Sequence, residues 1–469
     1  MIRSIVFIGV CLGLYSCSAT SPKPSGSPVD SSAKVSSWVT NGTQTKLLQK
    51  ESATPIQKPS ATALPLIEVD ESQVFQEMDG FGAALTGSSA YLIQQKMNAS
   101  QRTALLTELF DPQKGIGISY VRITAGASDF SLSDFTYQDD PSKPFSIEKD
   151  KADLLPALKS ALTIQPALKI MGSPWSAPAW MKSSGKLGGG KLKPESYGDF
   201  AGYLVNYIKG YRAEGINLEA ISVQNEPLHE AAYPSMRMEA SEQLDFVKNH
   251  LGPAFRKESI ATKILLYDHN WDRPDYPVTI LNDPEAKQYV AGSAFHAYAG
   301  KVSAMSEVHA AHPDKGLYFT EISGGSWATN FGDNLKWNLS NIFIGTANNW
   351  SKNALLWNLA LDPDAGPQNK GCTNCRGVVT VLPDGSFQRN VEYYALAHFS
   401  KFVRPGAKRI ASGQSPASVE KVAFRNPDGS RVLIVLNTGT ETARFAVKDG
   451  NRQFSYSLEP GAVSTLIWE

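Results

Sequence analysis

The chain has 469 residues, room for more than one hydrophobic core, and its 42% hydrophobic and 19% charged residues are those of a soluble globular protein. Lys plus Arg (45) equals Asp plus Glu (45), so no basic footprint points to nucleic acid. The 9 Trp and 17 Tyr suit stacking on sugar rings, but large cores use aromatics too, and the count alone decides nothing.

At the N-terminus Arg3 precedes an apolar run over residues 5–14, too short to span a bilayer but right for the core of a signal peptide. Leu14-Tyr15-Ser16-Cys17 follows and resembles a bacterial lipoprotein box, in which Cys17 becomes the lipidated first residue. The alternative is an ordinary secretory signal cleaved near Ala19. Either way export is expected. With lipid on Cys17 and no Asp at Ser18, the outer membrane is the expected location, and the lipid is the only membrane contact. Residues 18–60 are rich in Ser, Thr, Pro, Lys and Gln and are expected to form a flexible linker. Order is expected to begin with a strand in 61–75, at Leu64-Pro-Leu-Ile-Glu-Val.

From residue 76 to 403 strand-like and helix-like segments alternate. The strand candidates are 77–85, 119–124, 167–172, 220–224, 263–268, 292–296, 316–320 and 354–359. Between them, residues 195–215 carry Phe200, Tyr203, Leu204, Tyr207, Ile208 and Tyr211 at three- and four-residue steps, with Pro194 before and Gly215 after. Ser100 is expected to cap a second helix that buries Leu105, Leu109 and Phe110. Eight alternations over roughly 300 residues argue for a (β/α)8 barrel. From residue 404 to 469 only short strands and turns are legible. About 65 residues are few for an independent sandwich, so the N-terminal strand is expected to join this small β-domain.

The chemistry concentrates at strand ends. Ala-Ile-Ser-Val-Gln-Asn-Glu-Pro places Glu226 after an apolar strand that Pro227 cannot continue, the position where a βα-barrel keeps its catalytic groups. Alone, Glu226 could instead cap the next helix, the less favoured reading. Gly316-Leu-Tyr-Phe-Thr-Glu321 repeats the pattern, and two strand-end glutamates suggest the paired carboxylates of a glycosidase. Of the four cysteines, Cys11 lies in the signal and Cys17 at its end. Cys372 and Cys375 are too few for a zinc site and, in an exported protein, read as a local disulfide. No dinucleotide or phosphate-binding loop is present, and His296, His309 and His312 lack the spacing of a helical zinc motif, so neither cofactor nor metal is expected.

Six segments together resemble glycoside hydrolase family 30, the glucosylceramidase-like family, from about residue 64 to the end. They are Asp79-Gly-Phe-Gly-Ala-Ala-Leu-Thr, Val121-Arg-Ile-Thr-Ala-Gly-Ala-Ser-Asp-Phe130, Gly172-Ser-Pro-Trp-Ser-Ala-Pro-Ala-Trp-Met-Lys182, Val223-Gln-Asn-Glu-Pro227, Phe319-Thr-Glu321 and Leu356-Trp-Asn-Leu-Ala-Leu-Asp362. The resemblance implies a barrel with a side β-sandwich built from the C-terminus and an N-terminal strand. It implies that Glu226 is the acid/base, raised by the charge of Glu321, and that Glu321 is the nucleophile of a retaining double displacement. It also implies that Asn225 meets the sugar 2-hydroxyl, that Asp129, Trp175 and Trp357 bind the glycone, and that Arg122 keeps Glu321 ionised. A structural ion pair is the equal alternative for Arg122. Tyr298 is left to hydrogen-bond the nucleophile, while His296-Ala297-Tyr298 departs from the usual His-Trp-Tyr of glucosylceramidases. The Tyr233-Pro-Ser-Met236 run and the loop from Gly366 through Cys372-Thr-Asn-Cys375 look more like the family's β-1,6-glucanase branch. The expected partner is therefore a β-glucan, acted on by a monomer. Glucosylceramide is the alternative substrate. A non-catalytic carbohydrate-binding lipoprotein is a remote third reading, disfavoured because both glutamates are present.

Overall fold

The computed structural model describes residues 33–469, so Cys17 and the signal region lie outside the described residues. Eight parallel strands close into a barrel: β1 (Gly80–Ala84), β2 (Tyr120–Thr124), β3 (Lys169–Ser173), β4 (Ala220–Ser222), β5 (Lys263–Asn270), β6 (Val290–His296), β7 (Gly316–Glu321) and β8 (Ser351–Asn358). All eight overlap the strands expected from sequence. They are legible because strands covered on both faces are nearly continuous apolar runs. β1 begins later than expected because the residues before it, to Glu77, belong to a strand of the β-domain.

The barrel interior is layered. Tyr120, Met171, Ala220, Leu265, Ala294, Tyr318 and Leu355, one from each strand β2 to β8, form a buried apolar cluster. Two residues further along most strands the inward position turns polar or functional: Arg122, Ser173, Ser222, His296, Thr320 and Trp357, all buried. The apolar layer thus forms the floor on which the site is built. β1 contributes glycine where space is smallest, since a Cβ on Gly82 would lie 1.9 Å from the Tyr120 carbonyl oxygen.

The helix after β3 runs Tyr197–Ala213 behind a short 3-10 turn at Pro194–Ser196, and it buries all six of the periodic residues named above. The helix Ala99–Phe110 starts two residues earlier than the Ser100 cap implies. Asn98 is its cap, accepting from the Gln101 amide (3.0 Å) while the Gln101 side chain accepts from the Asn98 amide (2.9 Å). This reciprocal pair satisfies two free amide donors, more than a serine at position 100 can offer.

The expected linker is corrected over much of its length. Lys34–Thr40 is a strand paired antiparallel with the terminal strand Val463–Trp468, and Gln49–Lys50 and Thr54–Pro55 pair with it in turn. Val35, Ser37 and Val39 point alternately inward, and Val35, Val39 and Ile56 enter the core of the β-domain. The polar composition of this segment is that of a strand with one wet face, not of a tether. Leu66–Glu77 also joins the β-domain, antiparallel to Lys408–Ala411 and parallel to Ala443–Asp449. Among the described residues no helix is long and apolar enough to cross a membrane.

Candidate active site

Arg122, 0% exposed on β2, organises the polar end of the barrel. Its Nη1 donates to Glu321 Oε2 (2.5 Å), and its Nη2 to Asp268 Oδ2 (2.7 Å), Asn225 Oδ1 (2.7 Å) and Ser173 Oγ (3.3 Å). One guanidinium therefore ties together β2, β3, β5, β7 and the segment after β4. Glu321 is anchored at its other oxygen by Tyr298, whose hydroxyl donates to Oε1 (3.0 Å).

Glu226 follows β4 with a left-handed backbone, φ 45°, a conformation costly for a residue with a Cβ and found where function demands it. Its amide donates to the Asp268 carbonyl (3.0 Å), which fixes the turn. His296 Nδ1 donates to Glu226 Oε1 (3.0 Å) and His296 Nε2 to Asp268 Oδ1 (3.1 Å). Glu226, His296 and Glu321 each bring one side-chain ligand atom to within 4.8 Å of the other two. These three could offer atoms to a cation. However, Glu321 is already bound to Arg122, and His296 lies between two carboxylates that favour its charged form, so the site's negative charge is answered by the protein's own cations.

Asp268 is the principal residue that sequence reasoning missed. Ser173 (2.8 Å), Ser222 (2.6 Å) and Thr320 (2.6 Å) donate to it along with Arg122 and His296. Burial would raise its carboxyl, but the Arg122 charge and the His296 hydrogen bond hold it well below the usual range. Simple alternation along β5 would turn position 267 inward with Leu265. Instead Tyr267 and Asp268 both take left-handed φ values (68° and 61°), and the pairing with β6 slips one residue there. The bulge turns Asp268 into the barrel. The only signal in the sequence is the polar run Asp-His-Asn ending a strand.

The charge order of the two glutamates differs from the expectation. Burial pushes Glu226 up, but the hydrogen bond and charge of His296 outweigh it and hold the carboxyl below its ordinary value. Glu321 lies above its ordinary value because burial, helped by Glu226, exceeds the pull of His296 and Arg122. Burial alone would lower His296, yet Glu321, Asp268 and Glu226 raise it to about 9. At neutral pH the mobile proton therefore sits on His296, next to Glu226, rather than on Glu226. His269 approaches Glu226 as well (4.0 Å), but burial lowers it to about 4 and it stays neutral.

On the side of β1, β2, β3 and β8, Trp175 and Trp357 stack on each other (centroids 5.1 Å apart, 22° between planes) beneath the Arg122 guanidinium. They are 2% and 3% exposed, so they offer a sugar little open face and mainly support Arg122. Asp129 lies beside them with Oδ1 buried and without a partner, and burial together with Glu321 and Glu226 pushes its carboxyl well up. An unpaired buried carboxyl next to two carboxylates, able to donate when protonated and to accept when ionised, is suited to a ligand hydroxyl. Asn225 gives its oxygen to Arg122, which leaves its amide Nδ2 as the donor. Cys372 and Cys375 are joined as a disulfide, and both pack against this cluster. Trp180 donates to the Gln138 carbonyl (2.9 Å), a contact between loops.

Comparison with known proteins agrees with this geometry. The "Glycosyl hydrolase family 30 TIM-barrel domain" matches residues 78–403 and the "Glycosyl hydrolase family 30 beta sandwich domain" residues 406–466. The chain is 34% identical to an endo-1,6-beta-D-glucanase of Aspergillus fumigatus, over 98% of this chain and 99% of that protein. It is 29% identical to the lysosomal acid glucosylceramidase of Mus musculus, over 86% of this chain and 83% of that protein. A solved endo-beta1,6-glucanase superposes with a TM-score of 0.87 at 36% identity, covering 92% of this chain and 99% of the other.

Proposed function

Because the chain belongs to glycoside hydrolase family 30, we propose that it is a retaining endo-acting hydrolase of β-1,6-glucan. The observation that carries the chemistry is the placement of Glu226 and Glu321 at the ends of β4 and β7, with carboxylate oxygens within 4.8 Å of each other. That separation suits direct attack by one carboxylate and leaves no room for the extra water of an inverting site.

In the first step Glu321 attacks the anomeric carbon. Its Oε2 is bound to Arg122, so Oε1, released by Tyr298, is the attacking atom. The bond from the anomeric carbon to the leaving oxygen breaks, and Glu226 gives that oxygen a proton. Glu226 is held ionised at neutral pH, so the proton it gives comes from His296 Nδ1, through the 3.0 Å contact. The product of this step is a glycosyl ester on Glu321, with His296 neutral. In the second step Glu226 takes a proton from water as the water attacks the anomeric carbon. The ester bond breaks, Glu321 leaves as a carboxylate, and the proton passes back to His296. Asn225 Nδ2 and Asp129 would hold the ring hydroxyls. The β-1,6 linkage is supported by the glucanase relatives over nearly full length.

Two measurements test this. On a panel of β-1,6-, β-1,3- and β-1,4-glucans beside glucosylceramide, β-1,6-glucan should be cleaved fastest, to oligosaccharides. Preference for glucosylceramide overturns the substrate reading. With a dinitrophenyl β-glucoside, azide should rescue Glu226→Ala to a β-glucosyl azide and Glu321→Ala to the α anomer. Swapped anomers exchange the two roles.

A further inference from the structure

A cleft of about 730 Å³ opens beside the nucleophile, lined by Ala297 and Tyr298 after β6 and by the segment from Ile322 to Asn338 after β7. None of these residues binds the glycone in the reading above. β6 and β7 lie across the closed barrel from β2 and β3, and the segments after β2 and β3 carry Asp129 and Trp175. The cleft is thus on the far side of the catalytic pair from the glycone, where the leaving group must depart. Tyr298 connects the two, since its hydroxyl reaches Glu321 while the residue is 46% exposed.

Two tryptophans face this cleft in the open. Trp327 is 56% and Trp337 44% exposed, whereas the other large aromatics of the barrel are mostly buried. An exposed indole is costly unless something covers it. Trp327 is also held in place. Gly324–Gly325 pairs with Cys375–Arg376, and the Ser326 amide donates to the Asn374 carbonyl (2.8 Å). Arg376 is bound to Glu392 through Nε (3.0 Å) and Nη2 (2.7 Å), and its Nη1 reaches the carbonyls of Gly325 (3.3 Å) and Ala328 (3.4 Å). The ring of Trp327 lies against Gly325 itself, where a Cβ would come within 1.9 Å of it. The disulfide turn and the ion pair of half-buried Arg376 with buried Glu392 therefore brace the loop that carries Trp327.

We infer that Trp327 and Trp337 form a leaving-side platform that binds the glucosyl residues beyond the scissile bond of a β-glucan. The inference rests on the β-glucan reading given above. A pyranose presents a flat C–H face that an indole can cover, while the hydroxyls at its rim meet polar groups such as Thr329 and Asp333 in the same wall. A lipid aglycone would match the rings but not these polar neighbours.

The test compares two substrates. β-Glucosyl fluoride has a leaving atom that reaches neither ring, and a β-1,6-gluco-oligosaccharide spans both sides of the cut. Trp327→Ala, Trp337→Ala and Gly325→Val, the last displacing the Trp327 ring, should each raise KM for the oligosaccharide by about threefold to tenfold, the scale of one aromatic contact. Their kcat/KM on the fluoride should stay at the wild-type value. Unchanged oligosaccharide kinetics in all three variants, or equal losses on both substrates, overturn the platform alone. A wild type that turns over the fluoride but no β-glucan overturns the substrate reading and the platform with it.

Discussion

Replacing His296 by Gln keeps hydrogen-bonding capacity between Glu226 and Asp268 and removes the charge. The wild-type imidazole is held at about 9 against an ordinary 6.5. At about 1.4 kcal/mol per pH unit, that gap corresponds to about 3 kcal/mol of folding stability. A group whose folded-state pKa is raised contributes fully below its unfolded value and loses the contribution as pH rises through the folded one. The window here runs from 6.5 to about 9. Urea melts of both proteins at about pH 6 and about pH 10 should show the advantage of the wild type shrinking by about 3 kcal/mol across that span. The same substitution removes the cation that holds Glu226 low. The alkaline limb of kcat/KM should then follow Glu226 in the variant and lie below the wild-type limb, which follows His296 near 9. A stability advantage that does not change with pH, together with coincident alkaline limbs, would show His296 to be neutral in the folded protein and refute the proton placement.

Replacing both Cys372 and Cys375 by Ser should lower oligosaccharide affinity with little change in melting temperature, because a ring closed over three residues restricts the unfolded chain only slightly. Two free thiols titrated in the folded, oxidised wild type would remove the basis for this. The lipoprotein box at Cys17 predicts a diacylated N-terminus. Intact-mass analysis of the protein from its native host should find lipid on Cys17, and a mature N-terminus elsewhere without lipid mass would exclude the anchor. Deleting residues 33–60 exposes the edge of Val463–Trp468 and empties the positions of Val35, Val39 and Ile56, so thermal unfolding should fall well below the intact chain. An unchanged melting temperature would show these strands to be dispensable.

Much of this site was legible because barrel strands carry two signals at once. Their apolar runs mark them as buried, and the residue after each run marks the catalytic end, which is how Glu226 and Glu321 stood out. Arg122 and His296 were reachable only through the family resemblance. Asp268 escaped because a bulge in β5 breaks the alternation on which pattern reading depends. The proton order escaped for a different reason: the charge that inverts it sits on His296, seventy residues from Glu226 in sequence and 3.0 Å away in space. Residues 33–60 were misread because Ser and Thr are as much at home on the outer face of a strand as in a tether. Trp327 followed the second glutamate closely, but nothing in its neighbours distinguishes an exposed ring from a buried one.

The pairing of Lys34–Thr40 with Val463–Trp468 joins almost the first described residues to almost the last. A chain emerging from the ribosome carries its first strand through the synthesis of the whole barrel before the partner exists. Seven of the barrel's eight strand pairs join consecutive strands and can form as the chain lengthens, whereas the pairing of Lys34–Thr40 must wait for residues 463–468. Until then the apolar sides of Val35 and Val39 are uncovered. Val463–Trp468 is therefore also the strand that closes over Lys34–Thr40, and a chain truncated before residue 463 leaves that strand without its long partner.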